Sequence, residues 1–185
     1  MAIVAPPRPR ASIEEGPRGL EVVIPARRSW LLTGFLAVWL CGWAMGEVTV
    51  PRAFFAERAE PAAKMFAAVW LTFWTFGGGF VIYTILWSLA GRERLLVTPS
   101  SLSIQREVFG MGRVREYGLT DIRDLRTAPI AYNPAATFRS GLQPWTGGPG
   151  LIAFDYGSAT IRFGAGLEEG EARSIVERLR PRVTL

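Results

Sequence analysis

The sequence predicts an α+β membrane protein: a two-helix transmembrane hairpin, then a small antiparallel β-rich domain that ends in a helix. Three observations predict it. In a chain of 185 residues of which 20% are charged, no charge occurs over 29–46 or over 65–91. Six of the seven tryptophans fall inside those two windows. Beyond position 91 the apolar residues first alternate and then close on one stripe of helical spacing.

Each window is long enough to span. A bilayer core takes about 20 mostly apolar residues of helix. The first window has 18 uncharged residues, about 27 Å at 1.5 Å per residue. The second has 27 and spans with tilt. The expected hairpin covers 29–91, with spans at about 29–47 and 66–90. Trp30 and Trp87 lie near window ends, where an indole meets headgroups, and Trp39, Trp43, Trp70 and Trp74 lie deeper. Residues 47–64 carry three acids and three bases, with Pro51 and Pro61 as breakers, and read as loop; a short amphipathic turn over 53–59 is the alternative. Arg27-Arg28 before an apolar run, with Ala44-Met45-Gly46 as a cleavage candidate, also has some features of a targeting signal. The length and tryptophan content of the run favour a retained span.

Arginine distribution orients the hairpin. Five arginines precede the first span and thirteen follow position 91, against three basic residues in the linker. The excess of basic residues on the cytoplasmic side then puts both termini in the cytoplasm. Gly42 and Gly46 form a small-xxx-small pair, and Gly77-Gly78-Gly79 interrupts the second span. Inside lipid, small residues are where backbones approach closely. Packing of the two helices on each other is the expectation, and a dimer face or flexible point is the alternative.

The two ends differ. Residues 1–28 are rich in Pro, Arg and Glu and read as a disordered cytoplasmic tail, with 20–24 as one short extended piece. Residues 92–185 read as the β-rich domain. A short run over 94–98 is β-type. Leu102, Ile104 and Val108 alternate with polar neighbours, Gly110-Met111-Gly112 marks a turn, and 113–117 continues as the partner strand. Ile122 and Leu125 point one way. Residues 151–156 and 160–163 read as further strands around Gly157-Ser158. Over 168–180, Ala172, Ile175, Val176 and Leu179 fall on one helical face. Acids occupy the first turn, arginines the last, and Pro181 marks the end.

Several chemistries are disfavoured. The chain has no histidine and one cysteine, Cys41, which removes the usual triads, most zinc or haem ligation and any intrachain disulfide. The carboxylates Glu107, Glu116, Asp121, Asp124 and Asp155 are scattered among arginines and read as surface ion pairs. Gly164-Ala165-Gly166 lacks the Gly-Lys-Ser/Thr ending of a phosphate loop. No catalytic residue, cofactor or metal is expected, and neither nucleic acid nor a small-molecule substrate is indicated.

Two regions remain as candidate contact sites. Arg27, Arg28, Arg92 and Arg94 are juxtamembrane and suit anionic headgroups. Residues 128–149 carry four prolines together with Tyr132, Phe138, Arg139 and Trp145. They read either as a mobile linker or as a loop that anchors a protein partner.

The order of elements carries a resemblance. The stretches Gly91-Arg92-Glu93-Arg94-Leu95 through Leu102-Ser103-Ile104, Tyr117-x-x-x-Asp121-Ile122-x-x-Leu125, and Ile161-Arg162-Phe163-Gly164 leading to Glu171-Ala172 follow a membrane hairpin. Over about 29–185 the chain resembles small bacterial two-span membrane proteins with a pleckstrin-homology-like domain. That resemblance implies a fold and a location, the bacterial inner membrane, and no reaction. Five or six strands can be marked, one or two short of the seven-stranded barrel that the resemblance implies, with any further strand expected in 128–149. The expected role is non-enzymatic: a β-rich module presented to a protein partner, a second copy or the membrane surface. The alternatives are an accessory subunit of a membrane enzyme or transporter complex, and an anionic-lipid-sensing module.

Overall fold

The computed structural model describes residues 9–54, 60–128 and 150–183. The chain divides into two compact units: Arg28–Leu89, and Met1–Arg27 together with Ala90–Leu185.

The first unit is a pair of long helices, α1 (Trp30–Phe54) and α2 (Pro61–Ala90). Both run past the expected span boundaries into the connecting segment. Pro61 starts α2, a position where its missing N–H needs no partner. Pro51, expected to break the chain, instead lies inside the end of α1. So near the end, its ring sacrifices one backbone hydrogen bond without stopping the helix. The alternative amphipathic turn over 53–59 lies largely outside the described residues. Both helices leave large apolar side chains on the outside. Phe35, Phe73 and Phe76 are 64%, 74% and 76% exposed. A helix in the core of a soluble domain would bury these side chains.

The second unit is built on two antiparallel sheets. Strands β1 (Ser12–Gly16), β2 (Gly19–Pro25), β3 (Gly91–Val97), β4 (Ser101–Val108) and β5 (Met111–Gly118) form a five-stranded sheet in sequence order. Strands β6 (Ile122–Thr127), β7 (Ile152–Tyr156) and β8 (Ala159–Phe163) form a three-stranded one. A 3-10 turn at Leu119–Asp121 joins β5 to β6. Helix α3 (Glu169–Val183) packs on β6.

The N-terminal segment is therefore not a disordered tail throughout. Residues 12–25 supply two strands, and β2 pairs with β3 across the whole length of the helical unit in sequence. Leu20, Val22 and Ile24 are opposite Val97, Leu95 and Glu93 and are at most 2% exposed. Their two-residue alternation is the stripe of a half-buried strand, over the 20–24 piece that the sequence marks as extended. β1 and β2 supply strands beyond those marked in the sequence; the further strand expected in 128–149 falls almost entirely outside the described residues. Close approach explains one glycine here. A Cβ on Gly19, whose φ is +133°, would stand 2.0 Å from the Val97 carbonyl oxygen.

The expected core faces are otherwise as read. Leu102, Ile104, Ile122, Leu125, Ala172, Ile175, Val176 and Leu179 are all buried. They surround Phe154 and Phe163, both fully enclosed, with Tyr117 edge-on to Phe154. Two boundaries shift. The β4–β5 turn is Phe109-Gly110, not 110–112, because Val108 pairs with Met111. Helix α3 continues through Pro181 to Val183, whose buried side chain extends the apolar stripe.

Candidate functional site

The two helices interlock through four small or aromatic residues. Trp43 Nε1–H donates to the Trp74 carbonyl at 3.0 Å, and Trp74 Nε1–H to the Trp43 carbonyl at 3.4 Å. Each indole sits over a glycine of the other helix. A Cβ on Gly78 would stand 2.0 Å from the Trp43 ring, and one on Gly46 would stand 3.2 Å from the Trp74 ring. Trp70 stacks on Trp74 at 4.7 Å between centroids, and Trp39 lies at 5.7 Å. Polar contacts extend the antiparallel zip: Thr33 with Ser88 at 3.1 Å, and Thr75 donating to Glu47 at 2.7 Å. Of the five glycines expected at this seam, Gly46 and Gly78 are in it. Gly42, Gly77 and Gly79 have open space where a Cβ would go. Trp87, expected to meet headgroups, is buried, whereas Trp30 is exposed.

The arginines sort by whether a carboxylate holds them. Arg92 pairs with Glu107 at 3.2 Å, and Arg94 bridges Glu107 at 3.2 Å and Glu21 at 2.9 Å. Register explains this: Arg92 is opposite Glu107, and Arg94 is diagonal to both acids on the outer face of the sheet. Arg28 donates to the Leu89 carbonyl at 3.3 Å, and Arg27 is exposed. Two of the four arginines proposed for headgroups are thus already compensated by acids.

Glu93 is the buried charge that joins the two sheets. Its carboxylate takes Arg106 Nε at 2.5 Å from β4 and the Gly164 N–H at 2.6 Å from beyond β8. It points inward because β3 alternates, and it lies next to Leu95 on the core face. A buried carboxylate persists only with such partners. At the far side, Arg126 bridges Asp155 at 3.0 Å and Asp124 at 2.6 Å, and Thr160 donates to Asp155 at 2.7 Å. The Arg126 hydrogen bond, with Thr160 second, holds the Asp155 carboxyl below the usual carboxylate range. The reverse effect raises Arg126. Asp124, with φ +49°, occupies the irregularity in the β6–β7 register.

Among the described residues, no group of three or more His, Cys, Asp or Glu side chains is placed to hold a metal ion. The acids named in the sequence are held in structural ion pairs or lie apart. The candidate partner loop with Tyr132, Phe138, Arg139 and Trp145 lies outside the described residues. Sequence reasoning missed the Trp43–Trp74 exchange and, by setting the β4–β5 turn at 110–112, left Phe109 out of it. The tryptophan content was visible, but only the helix pairing selects which indoles meet. No protein-family model, curated protein or solved structure matches the chain.

Proposed function

We propose that this chain is a non-enzymatic integral protein of the bacterial inner membrane, whose two helices anchor a cytoplasmic, pleckstrin-homology-like β module for interaction with a partner protein or the membrane surface. The observation that carries this is the exterior of the helical unit. Phenylalanines such as Phe35, Phe66, Phe73 and Phe76, with aliphatic side chains such as Leu31 and Val38, face outward along α1 and α2, while the Thr33–Ser88 contact and the Trp43 and Trp74 indole N–H groups turn between the helices. That inversion suits lipid, which cannot satisfy buried polar groups.

The pairing of β2 with β3 supports same-sidedness of the termini. Strands before α1 and after α2 share one sheet, so an even number of crossings must separate them. The arginine excess then favours the cytoplasm. Two antiparallel sheets and a C-terminal helix are compatible with the pleckstrin-homology-like reading.

Alkaline carbonate extraction of membranes, followed by high-speed centrifugation, tests the anchoring. The full chain is expected in the pellet, and recovery in the supernatant overturns the reading. Protease added to inside-out vesicles should cut the domain after Ala90, whereas cutting only from the opposite side would reverse the orientation. Stoichiometric co-purification of a catalytic subunit in mild detergent would replace the module by an accessory role.

A further inference from the structure

Strands β4 and β5 meet in a two-residue turn, Phe109-Gly110, with φ of +53° and +79°. Such a turn favours Asn-Gly, because both central residues need positive φ. A bulky aromatic at the first position is a strained choice that folding alone does not favour. The turn is also apolar and unprotected. Phe109 is 63% and Met111 76% exposed, and Val114 is likewise outward.

Register places this tip. Gly91 is the Cα partner of Val108, and Gly91 directly follows the last residue of α2. Ala26 N–H donates to the Gly91 carbonyl at 2.9 Å, so the strand that leads into α1 reaches the same end of the sheet. With strands about 5 Å apart and about 3.4 Å per residue, the turn lies within about 10 Å of Gly91. It occupies the end of the sheet at which the chain enters and leaves the helical pair.

Charge completes the case. Arg113 and Arg115 lie on the same sheet face as Met111, by the alternation of β5 and its register with Arg106 and Ile104. Both are exposed, and neither makes an ion pair among the described residues. Arg92, Arg94, Arg106 and Arg126 are each held by a carboxylate. Two uncompensated cations behind an exposed Phe and Met form the pattern of an interfacial anchor: apolar tip in the acyl boundary, guanidinium groups among anionic headgroups.

We infer that the Phe109–Met111 turn dips into the anionic leaflet of the bilayer that holds α1 and α2, with Arg113 and Arg115 on its headgroups. This rests on the anchoring reading above, and the native Cys41, exposed on α1, allows the two to be separated. The full chain is reconstituted in phosphatidylcholine–phosphatidylglycerol vesicles. One sample carries an environment-sensitive fluorophore at Cys41; a second carries it at position 111, through Met111→Cys in a Cys41→Ser background. Quenching by brominated lipid is read for each.

Quenching and blue-shifted emission at both sites are expected. The double change Arg113→Gln, Arg115→Gln should lower the ratio of inserted to free tip roughly tenfold or more. Phosphatidylcholine alone should do the same. Phe109→Asn, which suits the turn and so preserves the fold, should also free the tip. Quenching at Cys41 with water-like emission at position 111 overturns the tip insertion and leaves the anchoring intact. Blue-shifted but unquenched emission at position 111 means that the tip is covered by protein, a second copy or a partner, and also overturns it. Absence of quenching at both sites overturns the anchoring and the tip together.

Discussion

Trp43 and Trp74 exchange hydrogen bonds: each indole N–H donates to the backbone carbonyl of the other residue, across the two helices. Both indoles are only partly buried, yet each fills the space over a glycine of the opposite helix. The pair fixes the axial register of α1 against α2, because sliding by one residue would move both rings off their glycines.

Glycine substitutions should therefore split into two classes. Gly78→Ala drives a methyl into the Trp43 ring, and overpacking of this kind costs about 1–3 kcal/mol. Gly77→Ala and Gly79→Ala meet open space and should be neutral or stabilising by about 0.5–1 kcal/mol, since Ala suits a helix interior better than Gly. Thermal unfolding in detergent, followed by tryptophan fluorescence, measures the difference. Equal effects at 77, 78 and 79 would remove the interlocked seam.

Glu93 should dominate the stability of the β unit among its charged residues. Glu93→Ala strands Arg106 and the Gly164 N–H at once. It is expected to cost roughly 2–4 kcal/mol, most of it from groups left without partners. Glu93→Gln keeps an acceptor and should cost less. Melting temperatures of the two variants, compared with Glu116→Ala on the exposed part of β5, check the ordering.

Removing residues 1–26 should prevent folding of the β unit. Leu20, Val22 and Ile24 leave the core, at about 1.5–3 kcal/mol each, a total close to the whole stability of a domain. The β3 edge is also bared, an invitation to aggregation. A truncation that stops before Arg10 keeps β1 and β2 and should melt like the full chain. Proteolysis and size-exclusion profiles in detergent distinguish the outcomes. A monodisperse, protease-resistant protein lacking 1–26 would contradict the pairing of β2 with β3.

The Asp155 site gives a pH dependence of known sign. Its carboxyl is held below the usual range, first by Arg126 and then by Thr160. The folded state therefore favours the ionised form. Its contribution to stability is present above the ordinary carboxylate pKa and is lost as pH falls through the lowered value. Arg126→Gln should return the Asp155 midpoint upward, part of the way, since Thr160 remains. Carboxyl-carbon NMR titration reads it directly, and an unchanged midpoint would dismiss Arg126 as the cause.

Local periodicity carried much of this molecule. The charge-free windows, the alternation at Leu102 and Ile104, and the stripe Ala172, Ile175, Val176 and Leu179 each complete their pattern within a few residues, so reading along the chain suffices. Pairings that close over long separations leave no such trace. Val22 meets Leu95 and Glu93 meets Gly164, and nothing near either residue announces its partner. The same reason governs the seam and the tip: five glycines look alike in the sequence, but helix pairing chooses Gly46 and Gly78. Likewise a run of arginines looks uniform until strand register assigns acids to Arg92 and Arg94 and none to Arg113 and Arg115. Composition and spacing act through neighbours along the chain, whereas the choice of partners is made by sheet and helix contacts that assemble only when distant segments meet.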